Sequence, residues 1–177
     1  MIKKLTFVLS LLLLVGCSTL NVSVDYDETY DFKNVKSFAI DIAASNSKNT
    51  LFNERVFNAL KNDLELKNYK NSTKEDADLI FVFYVSVKDK QSIHTSYSGY
   101  GGYRRYGGLG GGMMMSTTNT YEYQEGTLVI DALSPKTKKI VWRGVGVKEL
   151  KDYDTPAQRT EAVNKAVKKI MEKFPTK

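Results

Sequence analysis

The sequence predicts an α+β domain in two layers, a mainly antiparallel sheet with two helices packed on one face. Three observations predict it. Phe52, Val56, Leu60 and Leu64 recur at helical spacing, as do Val163, Ala166, Val167, Ile170, Met171 and Phe174. Several other stretches alternate at period two or run in β-branched and aromatic residues, which marks strands. Each helix shows one apolar stripe, so each has one face to bury and one to leave wet.

The elements follow in order. Val22, Val24 and Tyr26 alternate with Ser23 and Asp25 as a first strand, and Asp27-Glu28-Thr29 reads as a turn. Lys36 to Ile40 is a second short strand, and the small, polar stretch from Ala43 to Asn49 is a loop. The first helix runs from Leu51 to Lys67 with Phe57 beside its stripe, capped by Asn49 or Thr50. Asn68 suits the left-handed residue that ends a helix. Leu79 to Val87 is apolar, β-branched or aromatic almost throughout, which predicts a central strand covered on both faces.

Tyr121 to Ala132 is a further strand, with Leu128, Ile130 and Ala132 on one face. Ser134-Pro135-Lys136-Thr137 fits a type I turn, since proline's fixed φ suits the second position. Ile140 to Val147 returns as the partner strand. Gly144 and Gly146 share a face of it, where another backbone can come close. Trp142 reads as core, and Arg143, on the opposite face, as the partner of a carboxylate. The last helix has Thr155 as cap, Pro156 at its first position and Gln158 completing a capping box. Pro175 stops it, and Lys165, Lys168, Lys169 and Lys173 stay wet. The order is β, β, α, β, β, β, α.

Ahead of these elements lies a segment of another kind. Lys3 and Lys4 precede an eleven-residue apolar run from Leu5 to Val15. A membrane-spanning helix needs roughly 20 apolar residues, whereas the core of a secretory signal needs about 7–15. Leu14-Val15-Gly16-Cys17 resembles the lipobox of bacterial lipoproteins, with cleavage before Cys17. That resemblance implies a diacylglyceryl thioether on Cys17 and an acylated amine, enough chains for stable anchoring. Ser18, where an aspartate would imply retention at the inner membrane, favours the outer membrane. Ser18-Thr19-Leu20-Asn21 lacks an acidic surface-export run, which favours the periplasmic leaflet. The expected organisation is residues 1–16 as signal, 17–21 as lipidated tether, and 22–177 as one domain with a Gly/Tyr/Met-rich loop at 96–118.

Bulk properties narrow the classes. The charged fraction of 26% and hydrophobic fraction of 42% are those of a globular chain and exclude a disordered one. Without residues 1–16 the formal charge falls from +6 to +4, spread along the chain, which gives no footprint for nucleic acid. A single cysteine allows no internal disulfide.

Asp25-Tyr26-Asp27, Asp31-Phe32, Lys36-Ser37-Phe38-Ala39, Ala77-Asp78-Leu79, Gly126-Thr127-Leu128-Val129-Ile130-Asp131, Val141-Trp142-Arg143-Gly144 and the closing Ala166-Val167 to Phe174-Pro175 stand in one order over nearly the whole mature chain. Together they resemble the lipoproteins of domain of unknown function 4136. Asn68 stands where that family usually has glycine, and the stretch from Ser96 to Met115 is longer and richer in glycine. The resemblance implies a periplasm-facing envelope lipoprotein with an α+β fold and no catalytic residues.

Candidate chemistry concentrates in the Ser96–Met115 stretch. No Gly-x-Gly-x-x-Gly and no Gly-Lys pair is present, so the phosphate-binding loops fail. The plain reading is a flexible insertion between strands. The sharper reading takes Tyr97, Tyr100, Tyr103, Arg104, Arg105 and Tyr106 as a contact surface for a glycan or an envelope protein, by stacking and cation–π contact. Met113, Met114 and Met115 are soft ligands suited to Cu(I), with His94 upstream. Asp25, Asp27 and Asp31 fail as an EF-hand loop, because Tyr30 and Lys36 stand where glycine and glutamate are needed. A Ser–His–Asp triad would have to use His94, the only histidine, beside a flexible loop.

The expected function is non-enzymatic: an outer-membrane lipoprotein that binds or supports another envelope component, with no cofactor. The competing expectation is an envelope hydrolase or copper-binding lipoprotein.

Overall fold

The structure is a computed structural model and describes residues 20–42, 49–99 and 114–175. The elements are β1 (Asn21–Tyr26), a 3-10 turn (Phe32–Asn34), β2 (Ser37–Ile40), α1 (Thr50–Leu66), β3 (Lys70–Asn71), β4 (Leu79–Gly99), β5 (Met114–Ser134), β6 (Lys139–Glu149) and α2 (Pro156–Met171). They form one six-stranded sheet in the order β1-β6-β5-β4-β2-β3. The pairs β1–β6, β6–β5 and β5–β4 are antiparallel. The pairs β4–β2 and β2–β3 are parallel, because the chain crosses back over the sheet through α1.

The two helices lie side by side on one face. Val56, Leu60 and Leu64 of α1 and Val163, Val167, Ile170 and Met171 of α2 are buried against Phe38, Leu79, Phe81, Phe83, Ile130, Ala132 and Trp142. Phe174, just past α2, is the aromatic hub of this core. Its ring lies 5.1 Å from Trp142, 5.5 Å from Phe81, 5.8 Å from Phe32 and 6.1 Å from Tyr69. The capping residues act as expected. Asn49 accepts from Phe52 N–H, Thr155 Oγ1 accepts from Gln158 N–H, and the Gln158 side chain accepts from Thr155 N–H. Asn68 is left-handed at φ 64°.

Several expectations need correction. Leu79–Val87 has helices on one face only: Leu79, Phe81 and Phe83 meet them, while on the opposite face Val82 is buried, Ile80 and Tyr84 are half-buried and Ser86 is exposed. Strands β4 and β5 run far into the stretch expected to be loop. Ser96–Gly99 and Met114–Thr118 are strand, held by cross-strand pairing out to Gly99 opposite Met114. The β5–β6 connection has four linking residues, 135–138; Lys138 N–H bonds to Ser134 C=O at 2.8 Å and Lys138 is left-handed at φ 57°. Gly144 admits side chains and not backbone, for a Cβ there would stand 2.5 Å from Cγ2 of Ile170 and collide with the Trp142 ring.

Candidate functional site

The motif residues are consumed by the scaffold. Asp78 opens β4 and accepts from Lys36 N–H (2.9 Å), Ser37 N–H (3.0 Å) and Ser37 Oγ (2.9 Å), so it clamps the start of β2 to the start of β4. Burial raises its carboxyl pKa, and these hydrogen bonds outweigh it, so the net shift is downward. Asp131 is 1% exposed and holds Arg143 in a two-pronged pair, 2.7 Å on each arm, which raises the guanidinium pKa. That meets the expectation for Arg143 and ties β5 to β6. Trp142 is fully buried. Asp27 accepts from Thr29 N–H and Oγ1, which lowers its pKa, and Asp31 caps the 3-10 turn by accepting from Lys33 N–H. These acids shape turns, and among the described residues no group of three His, Cys, Asp or Glu side chains is placed to hold a metal.

His94 Nε2 lies 3.1 Å from Ser92 Oγ on one exposed strand face. Among the described residues no carboxylate is bonded to that ring, so the pair lacks the third group that orients a catalytic base.

What remains outside the scaffold is the far end of β4 and β5. Strand β2 stops pairing with β4 at Phe81, and β6 reaches β5 only as far as Gln124, whose carbonyl accepts Leu150 N–H at 2.7 Å. Beyond, from Asp89–Gly99 and Met114–Gln124, the two strands continue as a ribbon about 35 Å long at ~3.3 Å per residue. Its root is tied by side chains: Gln124 to Asp89 (3.0 Å), Gln91 to Glu122 (2.8 Å) and Lys90 to Glu125 (3.6 Å). Its outer half is Ser- and Thr-rich on both faces, with Ile93 67% exposed.

Tyr121 and Tyr123 stack on the ribbon face away from the helices, 5.9 Å apart and 18° from parallel. The Tyr121 hydroxyl donates to Glu149 Oε1 at 3.0 Å, and that hydrogen bond raises its pKa. Beside them β6 ends and the chain turns toward α2, which leaves a cleft of about 780 Å³ lined by Tyr121, Tyr123, Glu149, Leu150, Tyr153 and Arg159 among others. Arg159 donates to the Tyr153 carbonyl at 3.1 Å, and Lys148 Nζ lies 3.3 Å from the Tyr153 hydroxyl. Flat rings beside fixed polar groups can stack on a sugar face or a partner's side chain and orient it by hydrogen bonds.

Of the contact residues expected from sequence, Tyr97 sits on the end of β4, opposite Ser116. Tyr100, Tyr103, Arg104, Arg105, Tyr106 and Met113 lie outside the described residues, as does Cys17. The Tyr121/Tyr123/Tyr153 cleft was missed. The period-two spacing of Tyr121 and Tyr123 signals a shared strand face, but Tyr153 and Arg159 reach it only through tertiary structure.

These features define a class: a two-layer α+β scaffold extended by a β-ribbon. The chain belongs to the family described as domain of unknown function (DUF4136), which matches residues 22–176. Among solved structures, a PDZ domain protein from Parabacteroides distasonis is similar at 14% identity and a TM-score of 0.59, over 88% of this chain but 35% of that one. A PelC dodecamer from Paraburkholderia phytofirmans is similar at 9% identity and a TM-score of 0.50, over 86% of this chain and 95% of that one. At such identities the likeness is one of fold. No curated protein matches the chain.

Proposed function

We propose that this chain is a membrane-anchored envelope lipoprotein that works by binding, and that the β4–β5 ribbon is its contact element. Cys17 carries the lipid, and the outer membrane's periplasmic leaflet is its place, as Leu14-Val15-Gly16-Cys17 and Ser18 indicate. The partner is an envelope protein or a glycan. The observation that carries the binding role is the solitary ribbon with its stacked tyrosines and adjoining cleft, set apart from residues occupied with folding. β1 begins at Asn21 opposite Val147, level with Thr127 of β5, so a short tether joins the sheet at the same end from which the ribbon extends.

Two experiments test the two halves. Fractionation compares wild type with Cys17→Ser; the variant leaves the membrane fraction, and its retention there would refute the anchor. Replacing residues 99–115 by a short Gly-Ser linker alters the set of partners captured by crosslinking in cells. An unchanged set would refute the contact role.

A further inference from the structure

Among the described residues the ribbon has two open edges, and none of these residues guards the outer part of the β5 edge. Gln124 is the last β5 residue bonded on the β6 side. Antiparallel alternation then turns the N–H and C=O of Glu122, Thr120, Thr118 and Ser116 outward, away from β4. Sheets usually guard such an edge with charge, proline, a bulge or a covering segment. The run from Met114 to Tyr121 holds no charge, no proline and no glycine, and it pairs with β4 without a register shift. The segment from Leu150 to Tyr153 borders only the root of this edge, near Tyr121–Gln124. On β4, by contrast, Lys88, Asp89 and Lys90 guard the root. Threonine and tyrosine favour the extended state, yet two strands alone are marginal in water and become stable as part of a wider sheet.

We propose that two copies of this chain pair antiparallel through the β5 edges of their ribbons and merge them into a four-stranded sheet. The proposal rests on the contact role given to the ribbon and names its partner. A second copy fits because the edge is self-complementary. In a register centred on Thr118, Ser116 faces Thr120 of the other copy, and Glu122 falls opposite position 114, so no like charges meet. The pairing is closed by a two-fold axis, which leaves the two β4 strands at the outside, where Lys88, Asp89 and Lys90 protect their roots.

The test uses full-length protein in its own membrane. Across a hydrogen-bonded antiparallel pair the two Thr118 Cα atoms stand about 5.5 Å apart, within disulfide reach. Thr118→Cys, mildly oxidised, gives a band at twice the protomer mass, whereas wild type and Ile93→Cys on the β4 edge give none. The same scan at Ser116, Thr117, Asn119 and Thr120 covers adjacent registers. Adding Thr120→Pro, which removes an outward N–H and leaves the β4–β5 ladder intact, lowers the dimer yield at least five-fold. Thr120→Ala in its place keeps the yield. The proposal is overturned if no scanned position dimerises, if Ile93→Cys dimerises equally, if proline has no effect, or if the adduct has the mass of another protein. Should the 99–115 replacement change the captured partners while no cysteine variant dimerises, self-pairing alone fails. Should neither respond, the contact role fails with it.

Discussion

Burial alone would raise the Asp78 carboxyl pKa; the hydrogen bonds from Lys36 and Ser37 reverse it. A group whose folded pKa lies below its unfolded value contributes stability above the unfolded value and loses it as pH falls through the folded one. Asp78→Asn therefore costs about 2 kcal/mol at neutral pH. Urea titrations will show that gap closing as pH drops below about 4, the ordinary aspartate value. Gly144 makes the complementary case in the core. A Cβ at this position must displace Ile170 and Trp142, both fully buried. Gly144→Ala costs about 2 kcal/mol through overpacking, read from the denaturation midpoint. At this scale residue type told where Trp142 and Arg143 would go. It did not tell that Asp131 was the carboxylate, because that pairing depends on the β5–β6 register.

Among elements, the start of α2 was legible to the residue because its determinants are local, namely Thr155, Pro156 and Gln158, whereas the helix ends at Met171, short of the stop expected at Pro175. Thr155→Ala removes the cap bond to Gln158 N–H and costs about 1 kcal/mol, measurable as a lower melting temperature. The parallel pairing of β2 with β4 was not read, although a strand, a helix and a strand in succession favour it. The ends of β4 and β5 were illegible for a different reason. Ser92–Ser96 and Ser116–Thr120 bury no face, so they carry no apolar alternation, and their strand state comes from pairing with each other across the ribbon. Glycine-rich sequence between them drew the loop boundary too wide.

At the scale of the molecule, the residues that mark the family serve the scaffold. Asp78 joins β2 to β4, Asp131 and Arg143 join β5 to β6, and Phe32 and Phe174 meet in the aromatic core. The proposed binding role then falls to what the scaffold carries, namely the ribbon and the cleft at its root. Lys90 and Tyr123 face each other on adjacent strands, so a two-residue Asn-Gly turn can replace Gln91–Glu122 and close the hairpin early. The account predicts that this shortened protein melts within about 4 °C of wild type, the shift that ~1 kcal/mol produces in a domain of this size. It also predicts loss of the crosslinked adducts that wild type forms in cells. Adducts that persist on the shortened protein, or a scaffold that unfolds without its ribbon, would contradict it.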